Sequence, residues 1–374
     1  MQPRTLTRRG LIQSAAALSV SAAATKANSA VTVGIIGLGG RGSSHARHIA
    51  SLPEAKVISV AEVSDASISR ARERVSLDGI RLHKDMEEVL ASDVDAVIIA
   101  TPVYMHPDHF EAAIQAGKHI YIEKPAAADL AGAKRVMRLA DAAPRHLNIT
   151  FGFQQRHGRV YRDAKRLIDS GTIGPINLVH SHFLKSGMTG KEPAQPPPTT
   201  DAERLAQWKL WRSTYGEIIT ETFCHNIDAM NWFVGAHPLK AIGTGGRSVM
   251  KQGDLLDHLN VTYDYPGNVQ ANMVGSYLSP SFYREVYERY FCSDGVVETA
   301  RGYWKYHRGR DDTVEERSPH DITIDALQEF FGRVQNGKPA NTGVRGAEST
   351  LTALLGQMAI DRRAEVTWDE MMDA

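Results

Sequence analysis

The stretch from Val31 to Gly42, VTVGIIGLGGRG, constrains this chain most: a β-branched apolar run enters Gly37, Gly39 and Gly42 at the spacing G-x-G-x-x-G. The pattern gains weight from its setting. A helix-like segment, SSHARHIASL, follows, and a second apolar run, AKVISVAEV, brings Glu62 to its end twenty residues after Gly42. Glycines so placed allow a tight turn and let backbone N–H groups approach a pyrophosphate at the positive end of a helix. Gly40 and Arg41 lie in the same turn. Glu62 is placed to accept hydrogen bonds from the adenosine ribose, and its charge repels a 2′-phosphate. NAD is therefore expected, with Arg41 leaving room for NADP.

Strand and helix signals continue to alternate. GIRLHKDMEEVLAS reads as a short strand and a helix, VDAVIIATP as a buried parallel strand, and HPDHFEAAIQAGKHIYIEKP as a helix and a strand leading into Glu123 and Lys124. This order implies an α/β fold whose first domain is a Rossmann-type, doubly wound parallel sheet. Ligands of such sheets sit beyond the carboxyl ends of the strands, where Thr101, Pro102, His106, Glu123 and Lys124 fall. A helix, ADLAGAKRVMRLADAA, and a strand, LNITFGF, complete that domain, which is expected to span residues 31–150.

From residue 151 to 374 the signals change to an α+β domain with a large open, mostly antiparallel sheet, its turns at Pro-Gly, Asp-Gly and Arg-Gly pairs. The segment KSGMTGKEPAQPPPTTDAERLAQWKLW has four prolines and no periodicity, and reads as a long loop, either a lid or an arm across a dimer. Near the end, GVRGAESTLTALLGQMAIDRRAEVTWDE reads as an amphipathic helix and a short extended tail containing Trp368, both packing back on the core.

The N-terminus follows another logic. Arg4, Arg8 and Arg9 precede an uncharged, alanine-rich stretch from Leu11 to Ala24, and TRRGLIQ resembles a twin-arginine export signal. The apolar run falls short of the roughly 20 strongly hydrophobic residues of a membrane span. Residues 1–30 are thus expected to be an export signal, read by the twin-arginine machinery, and the mature protein to be periplasmic or otherwise exported, off the membrane. A folded export route lets a bound cofactor travel inside the protein.

With 43 basic and 43 acidic residues and no basic run interleaved with aromatics, the 374-residue chain is not expected to bind nucleic acid. Its 42% apolar content supports a large core. Two cysteines, Cys224 and Cys292, exclude a disulfide framework and a four-cysteine zinc site.

In EIITETFCHNIDAMNWFVG, Glu221, His225 and Asp228 fall at i, i+4 and i+7, which would place them on one helical face. A histidine is suited to take a hydroxyl proton as hydride leaves the same carbon, and an ammonium group polarises that oxygen. His225 is assigned as base, Lys124 as the partner that orients the hydroxyl, Glu221 as the group gripping a neighbouring hydroxyl, and Asp228 as a substrate contact. No metal is expected, since Lys124 supplies the electrophile. His180, His182 and His258 are further pocket candidates, although VHSHF reads more naturally as a half-exposed strand face.

The motifs GIIGLGGRG, TPVYMH, AGKHIYIEKP and ETFCHNID, in that order, resemble the Gfo/Idh/MocA family of sugar and polyol oxidoreductases over about residues 31 to 370. The resemblance implies that Lys124 lies beside the reacting carbinol, that Pro125 follows a cis bond, that the substrate is a small carbohydrate, and that the open sheet forms a dimer or tetramer contact. The family commonly has Asp four residues and Gly two residues before the histidine. Here Glu221 and Phe223 stand there, which would shift the substrate or narrow its pocket. The expected activity is NAD-dependent oxidation of a sugar or polyol CH–OH group with the nicotinamide tightly held. The alternative is a NAD-dependent glycoside hydrolase running oxidation, elimination, addition and reduction in one cycle, with Glu221, His106 or Tyr104 as the second base.

Overall fold

The computed structural model describes residues 30–187 and 195–374. The expected export signal, residues 1–29 of it, and residues 188–194 of the proline-rich segment lie outside the described residues.

Six strands, β1 (Val31–Ile36), β2 (Ala55–Ala61), β3 (Arg81–His83), β4 (Ala96–Ile99), β5 (His119–Ile122) and β6 (Ile149–Phe151), form a parallel sheet in the order β3-β2-β1-β4-β5-β6. The helices between them are α1 (Gly40–Ile49), α2 (Asp65–Arg72), α3 (Met86–Leu90), α4 (His106–Gln115) and α5 (Leu130–Ala142). The central strands are apolar at successive positions because both faces are covered. Ile36, Val97, Ile99, Ile120 and Ile122 pack into one core, while Val33, Ile35, Ile98 and Tyr121 pack into another.

The chain continues through α6 (Arg159–Asp169), strand β7 (Ile176–Leu184), and four helices, α7 (Asp201–Ala206), α8 (Arg212–Tyr215), α9 (Ile218–Glu221) and α10 (Cys224–Val234). There follow β8 (Lys240–Gly246), β9 (His258–Tyr265), β10 (Val269–Ser276), β11 (Glu285–Cys292), β12 (Gly295–Ala300), β13 (Tyr303–Gly309) and β14 (Asp312–Arg317). Two long helices, α11 (Ile322–Gln335) and α12 (Gly343–Arg362), precede β15 (Val366–Thr367) and α13 (Trp368–Asp373). The nine strands make a second sheet in the order β14-β13-β12-β11-β7-β10-β9-β8-β15, antiparallel throughout except for the β7–β10 pair.

Five elements depart from the sequence expectations. The proline-rich segment contains α7, started by a capping box between Thr200 and Glu203. Strand β14 was not expected, because DTVEER is polar on both faces; it is the exposed edge of the sheet, where no face needs an apolar residue. Helix α12 is buried along most of its length rather than amphipathic, since it lies between α5 and the second sheet. The tail after it is extended only at β15: Thr367 and Glu370 form a capping box that starts α13 at Trp368, whose ring stacks on His237 with centroids 4.0 Å apart. Helix α11, also unanticipated, returns to the first sheet, where Ala326, Leu327, Phe330 and Phe331 close the core beneath β1 and β4.

Candidate active site

The site begins at the glycine turn between β1 and α1. Helices α2, α3 and α5 are capped by the side chains of Ser64, Asp85 and Asp129, whereas α1 has no side-chain cap at Gly39 and no acidic residue in its first turn. Its first N–H groups are left for an external anion. Gly37 has φ of 91°, and a Cβ at Gly42 would stand 1.9 Å from the Gly37 carbonyl oxygen. A Cβ at Gly39 or Gly40 would meet nothing within 4 Å, so these two glycines border open space. An uncapped helix behind a bare backbone fits a pyrophosphate, and hence a dinucleotide. Glu62 ends up beside this turn, with Oε2 accepting from the Leu38 N–H at 2.7 Å and Oε1 from the Ser64 N–H at 2.8 Å.

Arg41 and Glu123, both expected to touch the cofactor, are joined to each other. Arg41 Nε donates to Glu123 Oε1 at 2.7 Å, and His45 Nε2 meets the same oxygen at 2.7 Å. Burial opposes ionisation of Glu123, but Arg41 and His45 outweigh it and hold the carboxyl well below its usual range. Burial, with Arg41 next, pushes His45 down to about 4. The pair locks the start of α1 to the end of β5.

His106 also departs from its expected place in the cofactor site. Its ring is buried between two carbonyl oxygens, with Nδ1 2.7 Å from Pro125 O and Nε2 3.0 Å from Thr101 O. It therefore braces the Thr101–Pro102 turn against the segment carrying Lys124, and neither nitrogen is free to act as a base. Thr101 Oγ1 lies 3.0 Å from His109 Nδ1, and Pro102 leads into the short turn at Val103–Met105.

Lys124 follows β5, and its bond to Pro125 is cis. Its Nζ donates to the Glu221 carbonyl at 2.5 Å and to Glu221 Oε1 at 2.9 Å. The two side chains are only 11% and 19% exposed. Burial, the largest single influence, would lower the Lys124 pKa; the charge and hydrogen bond of Glu221, with Cys224 and Glu123, together outweigh it, and the ammonium is favoured. Burial likewise opposes the Glu221 carboxylate, yet Lys124, with hydrogen bonds from Tyr215 (2.6 Å) and Thr222 (2.7 Å), holds it down at about 2. Glu217, fully buried, accepts from Ile218 N, Leu256 N and Arg212 Nε, fixing the start of α9 and so the place of Glu221 at its end.

The expectation of one helix carrying Glu221, His225 and Asp228 on one face is corrected. The chain breaks at Thr222–Phe223, with Glu221 closing α9 and His225 in the first turn of α10. Phe223 does not narrow a pocket. Its ring is fully buried against Phe183 and Tyr277, in space left by Gly275, where a Cβ would lie 2.0 Å from the ring. Asp228 is directed elsewhere, accepting from Arg156 Nε (2.8 Å), Arg156 Nη2 (2.9 Å) and Ser349 Oγ (2.7 Å) with no solvent exposure, so it is not a substrate contact.

His225 is half-buried, lies edge-on to Phe153, and has its Nδ1 buried without a partner among the described residues. Burial, with Lys124 next, places its pKa well below the ordinary histidine value, so the ring is a neutral base at physiological pH. The other histidines lie apart: His182 meets Glu285 at 2.5 Å, His180 lies against Phe291, and His258 meets Asp257 at 2.7 Å. Sequence reasoning missed Tyr215, Thr222 and Tyr277, the hydroxyl cluster around Glu221: Tyr277 comes from 55 residues beyond Thr222, and the two local hydroxyls are directed at Glu221 only by the break between α9 and α10.

Comparison with known proteins agrees with this geometry. The profile of an oxidoreductase family with an NAD-binding Rossmann fold matches residues 31–151, and that of the GFO/IDH/MocA C-terminal domain matches residues 161–298. Myo-inositol 2-dehydrogenase of Thermotoga maritima is 24% identical over 366 residues, covering 91% of this chain and 99% of that protein. Inositol 2-dehydrogenase of Streptomyces avermitilis is 31% identical over 205 residues, covering 54% of this chain and 53% of that one, so the match spans about half of that relative's length. A levoglucosan dehydrogenase solved with NADH and levoglucosan superposes with a TM-score of 0.76 at 17% identity, over 90% of this chain and 99% of its own. With both halves matched in order, the chain belongs to the Gfo/Idh/MocA family of oxidoreductases with an NAD-binding Rossmann fold.

Proposed function

We propose that this protein oxidises a CH–OH group of a sugar or polyol with NAD held beneath the glycine turn. One observation carries the reading: an ammonium kept charged by a buried carboxylate stands in the same site as a histidine kept neutral and unpaired. When bound, the nicotinamide supplies the hydride acceptor. Lys124 directs its ammonium at the substrate oxygen and stabilises charge developing there, and His225 takes the hydroxyl proton. Glu221 keeps Lys124 protonated and, through its remaining acceptor capacity, grips an adjacent hydroxyl. The inositol 2-dehydrogenase relatives support a cyclic polyol or sugar as the substrate class.

The redox-neutral glycosidase cycle is the weaker reading, because it needs a second base. His106 is spent on two carbonyls and Glu221 on Lys124, leaving Tyr104, over whose ring Arg204 lies at 5.3 Å. The dehydrogenase reading is tested by mass spectrometry of reaction mixtures with polyols and glycosides: a ketone without released aglycone supports it, and released aglycone without net ketone overturns it.

Export belongs to the same proposal. The arginine pair at Arg8 and Arg9 supports passage through the twin-arginine machinery into the periplasm, with residues 1–30 removed, a dinucleotide domain over 31–150 and a substrate domain over 151–374. The half-exposed face of the second sheet supports a homo-oligomer, a dimer or tetramer.

A further inference from the structure

Lys185 lies just past the end of β7, and the period-two alternation of the strand puts it on the face of Ser181 and Phe183, the face turned toward α10. Its Nζ stands 4.9 Å from the ring centroid of Tyr277 and 5.5 Å from that of Phe183. The Tyr277 hydroxyl meets Thr222 Oγ1, which donates to Glu221. A single layer of side chains therefore separates this ammonium from the Lys124–Glu221 pair. A second cation, Arg284, lies over the same Phe183 ring at 6.0 Å.

Neither Lys185 nor Arg284 has a hydrogen-bonding or acidic partner on its charged group among the described residues. The nearby carboxylates are already engaged, Glu221 by Lys124 and Glu285 by His182 and Tyr283. Lys185 is half-buried and Arg284 exposed; a half-buried charge is ordinarily paired, and two cations over one aromatic ring repel each other. Burial lowers the Lys185 pKa; Glu221 opposes this, while Arg284 and Lys124 add to it. The hydroxyl-binding end of the site pairs Lys124 with Glu221, and among the described residues the end beyond Tyr277 carries two cations with no acidic group in direct contact.

We infer that Lys185 and Arg284 form an anion-binding subsite, and that the substrate is an acidic sugar, one end held by this pair and the reacting hydroxyl by Lys124 and His225. The inference rests on the proposed sugar oxidation for its reacting end and on the Lys185 geometry for its anionic end. A carboxylate or a phosphate on the sugar meets the same chemistry, and the two are separated by experiment.

Titration calorimetry of the purified full chain compares hexoses of gluco, galacto and manno configuration with their uronates and 6-phosphates. At least one acid binds about tenfold or more tightly than its neutral twin, as a charge-assisted hydrogen bond provides. Lys185→Met collapses that ratio, and Lys185→Arg retains it. Preference for the uronate or for the phosphate identifies the group. Equal affinity for acid and neutral twins, binding of neutral sugars alone, or a ratio that survives Lys185→Met overturns the subsite. NADH formation, read separately at 340 nm, distinguishes the two claims: acid-selective binding without NADH from any sugar overturns the oxidation and leaves the subsite, whereas NADH from neutral sugars alone does the reverse.

Discussion

At Lys124 and His225, burial acts on two cationic acids with opposite results. Lys124 has a carboxylate 2.9 Å away and stays protonated; His225 has no carboxylate in hydrogen-bond contact among the described residues, and burial and Lys124 outweigh the more distant Glu123 and keep it neutral. Lys124→Met and His225→Ala are each expected to lower kcat/KM by about 10²-fold or more while NAD remains bound. Since the base works when neutral, wild-type activity is expected to hold as pH falls through 6.5 and to be lost only below it, as His225 protonates; a kcat/KM profile against pH measures this. That Lys124, Glu221 and His225 would be brought together was legible because motif and chemistry coincide in EKP and ETFCHNID; their catalytic roles belong to the proposal. Asp228 was misread because a helical face was assumed continuous across residues 221–228, whereas the chain breaks at Thr222–Phe223; Phe223, read against the family pattern, was misread because the space it fills beside Gly275 is a contact 52 residues away in sequence.

At the scale of elements, the glycine turn separates positions needed for folding from one needed for binding. Gly42→Ala forces a Cβ against the Gly37 carbonyl and is expected to lower the melting temperature. Gly39→Leu projects into open space and is expected to leave melting nearly unchanged while abolishing retention of NAD. Calorimetry and extraction of bound nucleotide check the two outcomes. A second device ties α10 to α12 and to the turn after β6: Arg156, Asp228 and Ser349 form a buried cluster. Arg156→Ala strands the Asp228 charge and is expected to cost about 3–5 kcal/mol in denaturant unfolding. The central strands of the first sheet were legible from their continuous apolar runs. Strand β14 and helices α11 and α13 were not: β14 is polar on both faces, α11 buries its apolar side against a sheet begun some 290 residues earlier, and α13 depends on a two-residue pairing of β15 with β8.

For the whole molecule, the proposed export of a dinucleotide fold is economical only when the cofactor stays bound. Replacing Arg8 and Arg9 with Lys is expected to leave a longer precursor in the cytoplasm, read by fractionation and intact mass. Retention is expected from the uncapped α1 terminus together with the Lys124 segment, itself braced by His106 and by the Arg41–Glu123–His45 cluster. Whether that retained cofactor serves sugar oxidation through Lys124 and His225 is decided most directly by one measurement. Protein purified without added nucleotide is incubated with a panel of neutral and acidic sugars and polyols, then denatured, and the released nucleotide and the sugar product are quantified by mass spectrometry. The account predicts near-stoichiometric NAD before incubation, its conversion to NADH with an equal amount of ketone for the right substrate, and NAD that stays oxidised in His225→Ala. Protein that carries no nucleotide, or a His225→Ala variant that reduces its NAD as fast as wild type, contradicts it.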